Sequence, residues 1–150
     1  MENIQLVFPG EPKAIQSVRF SARGGFARKF QPKANTDWKG YLRLCAVDQL
    51  PEEWETLKGP LAVDAEFCFA PLRSMAKRDQ ARLAEGWTFY KPTRPDLCDN
   101  LMKGLCDALT GVVWQDDAQI CRVASVKRFD VSPCIRLRVR RLNAAEEPMF

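Results

Sequence analysis

Residues 93–120 read TRPDLCDNLMKGLCDALTGVVWQDDAQI, with five aspartates and one lysine set among small and apolar residues. Carboxylates held close together repel one another unless they are protonated or share a cation. A hard divalent ion such as Mg²⁺ is the matching partner, since it takes carboxylate and water oxygens in an octahedral shell. An ion so held can acidify a bound water and neutralise charge on a scissile phosphate. Lys103, one helical turn beyond Asp99, can position a phosphate or stabilise developing negative charge.

The chain contains no histidine, which removes the usual general base and with it Ser-His or Cys-His chemistry. The six cysteines, at 45, 68, 98, 106, 121 and 134, include no CxxC pair. That argues against a structural zinc site and leaves the thiols to be read as small buried hydrophobes. Hydrolysis here would have to use carboxylates, lysine and a metal.

The elements that would position these groups follow from the pattern around them. Pro92 and Pro95 keep the chain extended up to Asp96. A helix then starts near Asp99, whose side chain is suited to cap its first amides. On a helical wheel Asn100, Lys103 and Asp107 share one face, and Leu101, Leu105, Ala108 and Leu109 the other. Thr110-Gly111 ends that helix, and Asp116-Asp117 precede a strand, so that the topology can return Asp117 towards Asp96 and Asp99. Each residue also has a plainer explanation. Asp99 can be only a cap, Asp116-Asp117 only a turn, and Lys103 with Asp107 an exposed i,i+4 pair worth about 0.3 kcal/mol.

Elsewhere, IQLVF (4–8) reads as a short buried strand closed by Pro9-Gly10. SVRFSARGGFARKF (17–30) reads as a hairpin turning at Gly24-Gly25. Asn35 or Thr36 caps a helix through DWKGYLRLCAVDQL, with Trp38, Tyr41, Leu42, Cys45 and Leu50 as its apolar stripe. LAVDAEFCF (61–69) alternates as a half-buried strand, with Asp64 and Glu66 opposite the apolar side chains. SMAKRDQARLAEG is a short polar helix ended by Gly86, and ICRVASVKRF and CIRLRVRRL are two further strands. The tail from Asn143 is expected to fray. The order β-β-α-β-α-α-β-β predicts a single α/β (or α+β) domain over residues 1–150, a mixed sheet with helices mainly on one face.

The 23 basic and 19 acidic residues leave a net charge of only +4, unevenly distributed. No acid lies between Glu11 and Asp37, where Lys13, Arg19, Arg23, Arg28, Lys29 and Lys33 all fall. Such a block suits a phosphate backbone or, equally, a plain solvated hairpin. The arginines of the last strand are further candidates for phosphate contacts. No apolar run approaches the ~20 residues that span a bilayer, and MENIQLVFPGEP lacks the features of a signal peptide. The expected location is therefore cytoplasmic.

Taken in order, RPDLCDNLMKGLCDALTGVVWQDDAQI resembles the motif of the RusA-type Holliday junction resolvases, endodeoxyribonucleases often carried by phages and prophages. That motif runs Pro-Asp-x-Asp-Asn, a lysine three residues on, Asp-Ala-Leu, then Asp-Asp-x-Gln before a strand. FPGEPKAIQSVRF is similar to the family's opening strand. The resemblance implies that Asp96, Asp99 and Asp117 bind metal and act in catalysis, that Lys103 is the functional lysine, and that Asn100 and Asp116 support them. It further implies Mg²⁺, or Mn²⁺ in its place, a homodimer acting on branched DNA at the nucleoid, and paired symmetric nicks with 5′-phosphates that resolve four-way junctions in recombination and repair. A two-fold substrate suits a two-fold protein.

One feature departs from the motif. The family places one residue between its first two aspartates, and here Leu97 and Cys98 both intervene. Were Asp96 on a strand, only a β-bulge at Leu97-Cys98 would turn it to the metal. The rival readings are therefore a branched-DNA-binding protein that has lost cleavage through the insertion at Cys98, a PD-(D/E)xK nuclease, and an assembly protein with a solvated acidic helix. The PD-(D/E)xK pattern lacks its acid-x-Lys, since Ser125 stands two before Lys127.

Overall fold

The computed structural model describes residues 3–15, 19–21, 28–30 and 33–145. The expected turn at Gly24-Gly25 and the end of the tail fall outside them. Strand β1 (Asn3–Pro9) is followed by the short strands β2 (Arg19–Ser21) and β3 (Arg28–Phe30), helix α1 (Lys33–Gln49), strand β4 (Leu61–Phe69) and helix α2 (Lys77–Ala84). A π-helix (Leu97–Met102) runs directly into α3 (Lys103–Leu109), and a 3₁₀ turn (Asp117–Gln119) opens β5 (Ile120–Phe129), after which β6 (Cys134–Arg141) closes the fold. The main sheet has the order β1-β6-β4-β5. β4 is antiparallel to β6 and parallel to β5, so the fold is the expected mixed α+β sheet. β2 and β3 pair antiparallel as the hairpin the sequence predicts.

Alternation decides which side of the sheet is dry. Leu61, Val63, Ala65 and Phe67 of β4, Ile135, Leu137 and Val139 of β6, and Leu6 and Phe8 of β1 are all buried in one core with Trp38 and Leu42 of α1 and Leu105 and Leu109 of α3. β1 is therefore a half-buried edge strand rather than a fully buried one, with Val7 exposed. β4, being central, buries Ala62 and Cys68 on its other face as well.

That other face carries an ionic ladder. Register sets Asp64 beside Arg138 and Glu66 beside Arg136. Arg138 Nε donates to Asp64 at 2.8 Å, Arg128 bonds Glu66 and Asp130 at 3.0 Å, and Arg136 lies 3.4 Å from Glu66. Arg136 and Arg138 are thus engaged by carboxylates across the sheet, while their side chains stay about half exposed.

Helix α1 starts earlier than its expected cap. Asn35 lies within the first turn and is buried, with Trp38, Leu42 and Ala46 as the buried stripe and Tyr41 partly exposed against the Trp38 ring. The cysteine expectation also needs correction: Cys68 and Cys134 are buried and Cys45 and Cys106 half-buried, but Cys98 and Cys121 are exposed. No helix among the described residues is long and apolar enough to cross a membrane.

Candidate active site

The motif residues occupy the long crossover that joins the parallel strands β4 and β5, a connection that parallel pairing requires. Its last part is held from β5. Phe129 N donates to Phe89 O at 2.9 Å and Lys91 N to Lys127 O at 3.1 Å, so residues 89–91 line the outer edge of that strand. Lys127 Nζ then donates to the carbonyls of Thr93 and Pro95, at 2.6 and 2.7 Å. Lys91 Nζ adds a bond to Thr93 Oγ1 at 2.8 Å. The peptide immediately before Asp96 is therefore fixed by a strand that follows it in sequence.

Asp96 is not on a strand, and no β-bulge follows it. It is the extended residue before the π-helix (φ −68°, ψ 138°), and its carbonyl accepts from Leu101 N at 3.1 Å, an i→i+5 bond. Such a turn takes one more residue than an α turn. The residue that the family motif lacks, one of Leu97-Cys98, is absorbed in this wide turn. Asp99 consequently lies within the first turn and is not its cap. Asp96 and Asp99 are both exposed.

Past the π turn the amphipathic reading holds. Leu101, Met102, Leu105, Ala108 and Leu109 are buried, Lys103 is exposed, and Asn100 and Asp107 are half-buried. Gly104 is also buried, because a Cβ there would come within 2.7 Å of Ile15 Cγ2. The segment leading to the basic hairpin thus rests directly on α3, one residue from Lys103. Asp107 pairs with Lys39 of α1 at 3.6 Å, not with Lys103. Arg43 Nη1 donates to the Ala108 and Thr110 carbonyls at 3.2 Å, placing a cation at the C-terminal end of α3, where the helix dipole favours it.

Thr110 and Gly111 (φ +86°) end α3 as expected. Asp116 accepts from Ala118 N at 2.9 Å, and Gln119 Oε1 accepts from Asp116 N at 2.9 Å, a reciprocal cap. Gln119 Nε2 also donates to the Leu57 and Gly59 carbonyls, tying this turn to the loop before β4. Asp116 therefore shapes the turn, while Asp117 is exposed in its first position. Asp117 is near enough to α3 to act on Cys106. Burial pushes that thiol up, and the Asp117 and Asp107 carboxylates add to the effect, to about 11.

Asp117 thus comes back to α3, as the topology allows. Among the described residues, though, no three Asp, Glu, Cys or His side chains are gathered to hold a metal ion. By donor type the site suits a hard divalent ion: Asp96, Asp99 and Asp117 are exposed oxygen donors and form no ion pair among the described residues. Of the basic block, Lys13 is exposed with its ammonium 5.8 Å from the Trp38 ring centroid, and Lys33 is exposed at the start of α1. The side chains of Arg19, Arg28 and Lys29, and all of Arg23, lie outside the described residues.

Lys127 is the residue that sequence reasoning passed over. Along the chain it stands out only as the lysine of an incomplete acid-x-Lys pattern. Its bonds to Thr93 and Pro95 span more than thirty positions, and no local pattern signals them.

A similar chain is the "Uncharacterized protein YqaN" of Bacillus subtilis (strain 168), 28% identical over 145 residues, which cover 96% of this chain and 100% of the relative. The family model described as "Endodeoxyribonuclease RusA" matches residues 9–140, from the end of β1 almost to the end of β6. With most of its length matched, the chain belongs to the RusA family of endodeoxyribonucleases.

Proposed function

We propose that this protein, acting as one domain over residues 1–150, is a divalent-metal-dependent endonuclease that resolves four-way DNA junctions by paired symmetric nicks as a homodimer. The observation that carries the reading is the ordered set Asp96, Asp99, Lys103 and Asp117. All four are exposed and without ion pairs among the described residues, and they are borne on one crossover inside the family-matched region.

Asp99 and Asp117, with Asp96, are the proposed ligands of Mg²⁺, or of Mn²⁺ in its place. When bound, the ion supplies charge neutralisation at the phosphate and an acidified water. Lys103 holds the phosphate oxygen on which charge develops. Asn100 and Asp116 support these groups, Asp116 through the cap that sets the Asp117 turn. Lys13 and Lys33, with Arg19, Arg23, Arg28 and Lys29, contact the DNA backbone without reading bases.

The absence of a gathered carboxylate cluster among the described residues favours one second reading, a branched-DNA-binding protein that no longer cuts. Cleavage of a labelled four-way junction in Mg²⁺ and in EDTA, beside a linear duplex of the same sequence, separates the two. Symmetric nicks that need Mg²⁺ and the junction are expected, and Asp117→Asn should abolish them while junction binding persists. Tight binding by the wild-type protein with no nicks in Mg²⁺ or Mn²⁺ would establish the second reading, and cutting by Asp117→Asn at the wild-type rate would remove the ligand assignment.

A further inference from the structure

The crossover carries a second surface that the acidic motif does not use. Between Arg73 and Arg94 there are six basic residues against two acidic ones, an excess equal to the net charge of the entire chain. In the same stretch two large aromatic side chains stand in solvent, Trp87 at 54% and Tyr90 at 67% relative exposure. Apolar rings of this size are usually the first groups to be buried.

The Trp87 ring and the backbone of Tyr90 are held in place. The Arg82 guanidinium lies 4.6 Å from the Trp87 ring centroid, a cation–π stack that covers part of the indole. Trp87 N donates to Arg82 O at 2.9 Å. Tyr90 bridges Arg128 of β5 between the two backbone bonds that pin residues 89–91 to that strand. The Trp87 ring and the backbone on which Tyr90 is mounted thus have little freedom left to lose when something stacks on them, which lowers the cost of binding.

The segment that carries Tyr90 is also tied to the start of the acidic motif. Lys91, next to Tyr90, is hydrogen-bonded through its amide to Lys127, whose ammonium grips the carbonyl of Pro95, the neighbour of Asp96. One side chain of β5 thus links the aromatic segment to the start of the acidic motif.

We infer that Trp87 and Tyr90, with the surrounding cations, form a stacking platform for unpaired nucleotides of the DNA substrate, beside the point of cleavage. The inference rests on the nuclease reading above and adds to it the feature of the substrate that is recognised. Positive charge selects a polyanion. An intact duplex keeps its base faces stacked inside, so rings in solvent can meet only bases that have left the stack. Base–aromatic stacking is tolerant of sequence and strong enough to select such structures.

The test is a binding comparison in EDTA with the full-length protein, using a single-stranded oligothymidylate, a forked duplex and an intact duplex. Trp87→Ala and Tyr90→Ala should each weaken the single strand and the fork by about tenfold and leave the intact duplex unchanged. Trp87→Phe and Tyr90→Phe should retain tight binding, which separates the ring from the fold. A 2-aminopurine placed at the branch should be quenched by the wild type and not by the alanine variants. Wild-type affinity of the alanine variants for single strands would overturn the inference. So would a change in the sedimenting mass of those variants with DNA binding intact, which would assign the surface to a second copy of the chain. Absence of Mg²⁺-dependent cutting by the wild type would instead overturn the nuclease reading and leave this binding result standing.

Discussion

Lys127 Nζ lies 2.7 Å from the carbonyl oxygen of Pro95 and 2.6 Å from that of Thr93, so β5 fixes the peptide on which Asp96 is mounted. Lys127 is a positioning residue, since its bonds go to backbone groups. Lys127→Ala should slow single-turnover junction cleavage by roughly ten- to a hundredfold, the scale of effect of a small misplacement at a reacting centre. The dissociation constant for the junction should stay near that of the wild type, and Lys127→Arg should recover part of the rate. Equal losses of rate and affinity would point to direct DNA contact instead.

Cys106 offers a readout of Asp117 that does not depend on cutting. Burial and the Asp117 and Asp107 carboxylates raise its thiol to about 11, so it is protonated at neutral pH and slow towards alkylation. In a variant with the exposed Cys98 and Cys121 replaced by serine, Asp117→Asn should move the alkylation profile of Cys106 to lower pH. Mg²⁺ should do the same in the Asp117 protein if this carboxylate is a ligand, because a bound cation cancels its field. A profile indifferent to Mg²⁺ would remove Asp117 from the ligand set.

The ionic ladder on the open sheet face predicts an acid-sensitive part of stability. Desolvation pushes the Asp130 carboxyl up, but the Ser132 amide and the Arg128 and Arg136 guanidiniums outweigh it, and the pKa falls below its usual 3.8. A depressed carboxyl contributes stability above its unfolded value and loses it as pH drops through the folded one. Asp130→Asn should therefore have a lower urea midpoint than the wild type at neutral pH. The difference should persist down to about pH 4 and close below it.

At Gly104 two effects oppose one another. Alanine in a helix gains about 1 kcal/mol over glycine, yet its Cβ would meet Ile15 Cγ2 at 2.7 Å, and overpacking of that kind costs about 1–3 kcal/mol. Gly104→Ala should lower stability by about 1 kcal/mol in the wild type and raise it in an Ile15→Ala background. A double-mutant cycle from urea unfolding measures this coupling. Additive effects would mean that Ile15 does not rest on α3.

Much of this fold was legible because burial imprints a period on the sequence. The apolar alternation of 61–69 and 134–141, with charges between, identified two strands of the sheet, and the ordered aspartate motif identified the family. Wide turns and long-range tethers leave no such period. The π turn at Leu97–Met102 has the composition of an ordinary helix start, so along the chain the extra residue at Leu97-Cys98 looks like a strand irregularity. Asn35 has the chemistry of a cap but is drawn into α1 and buried. Arg136 and Arg138 look free along the chain, and only sheet register brings Glu66 and Asp64 to them.

Every proposed catalytic group and both platform aromatics lie on the single excursion from the end of β4 to the start of β5, while the sheet that anchors it is complete without them. Because loop closure entropy grows only logarithmically with length, the exposed loops of this excursion before Phe89 can be lengthened with little loss of stability, whereas α3 cannot be removed, since Leu105 and Leu109 lie in the core. The variable part of the crossover is therefore the stretch ahead of its grip on β5. On the proposed reading, changes at the exposed positions of this stretch, Trp87 among them, would alter which DNA structures are bound without touching the acidic motif or the sheet beneath it.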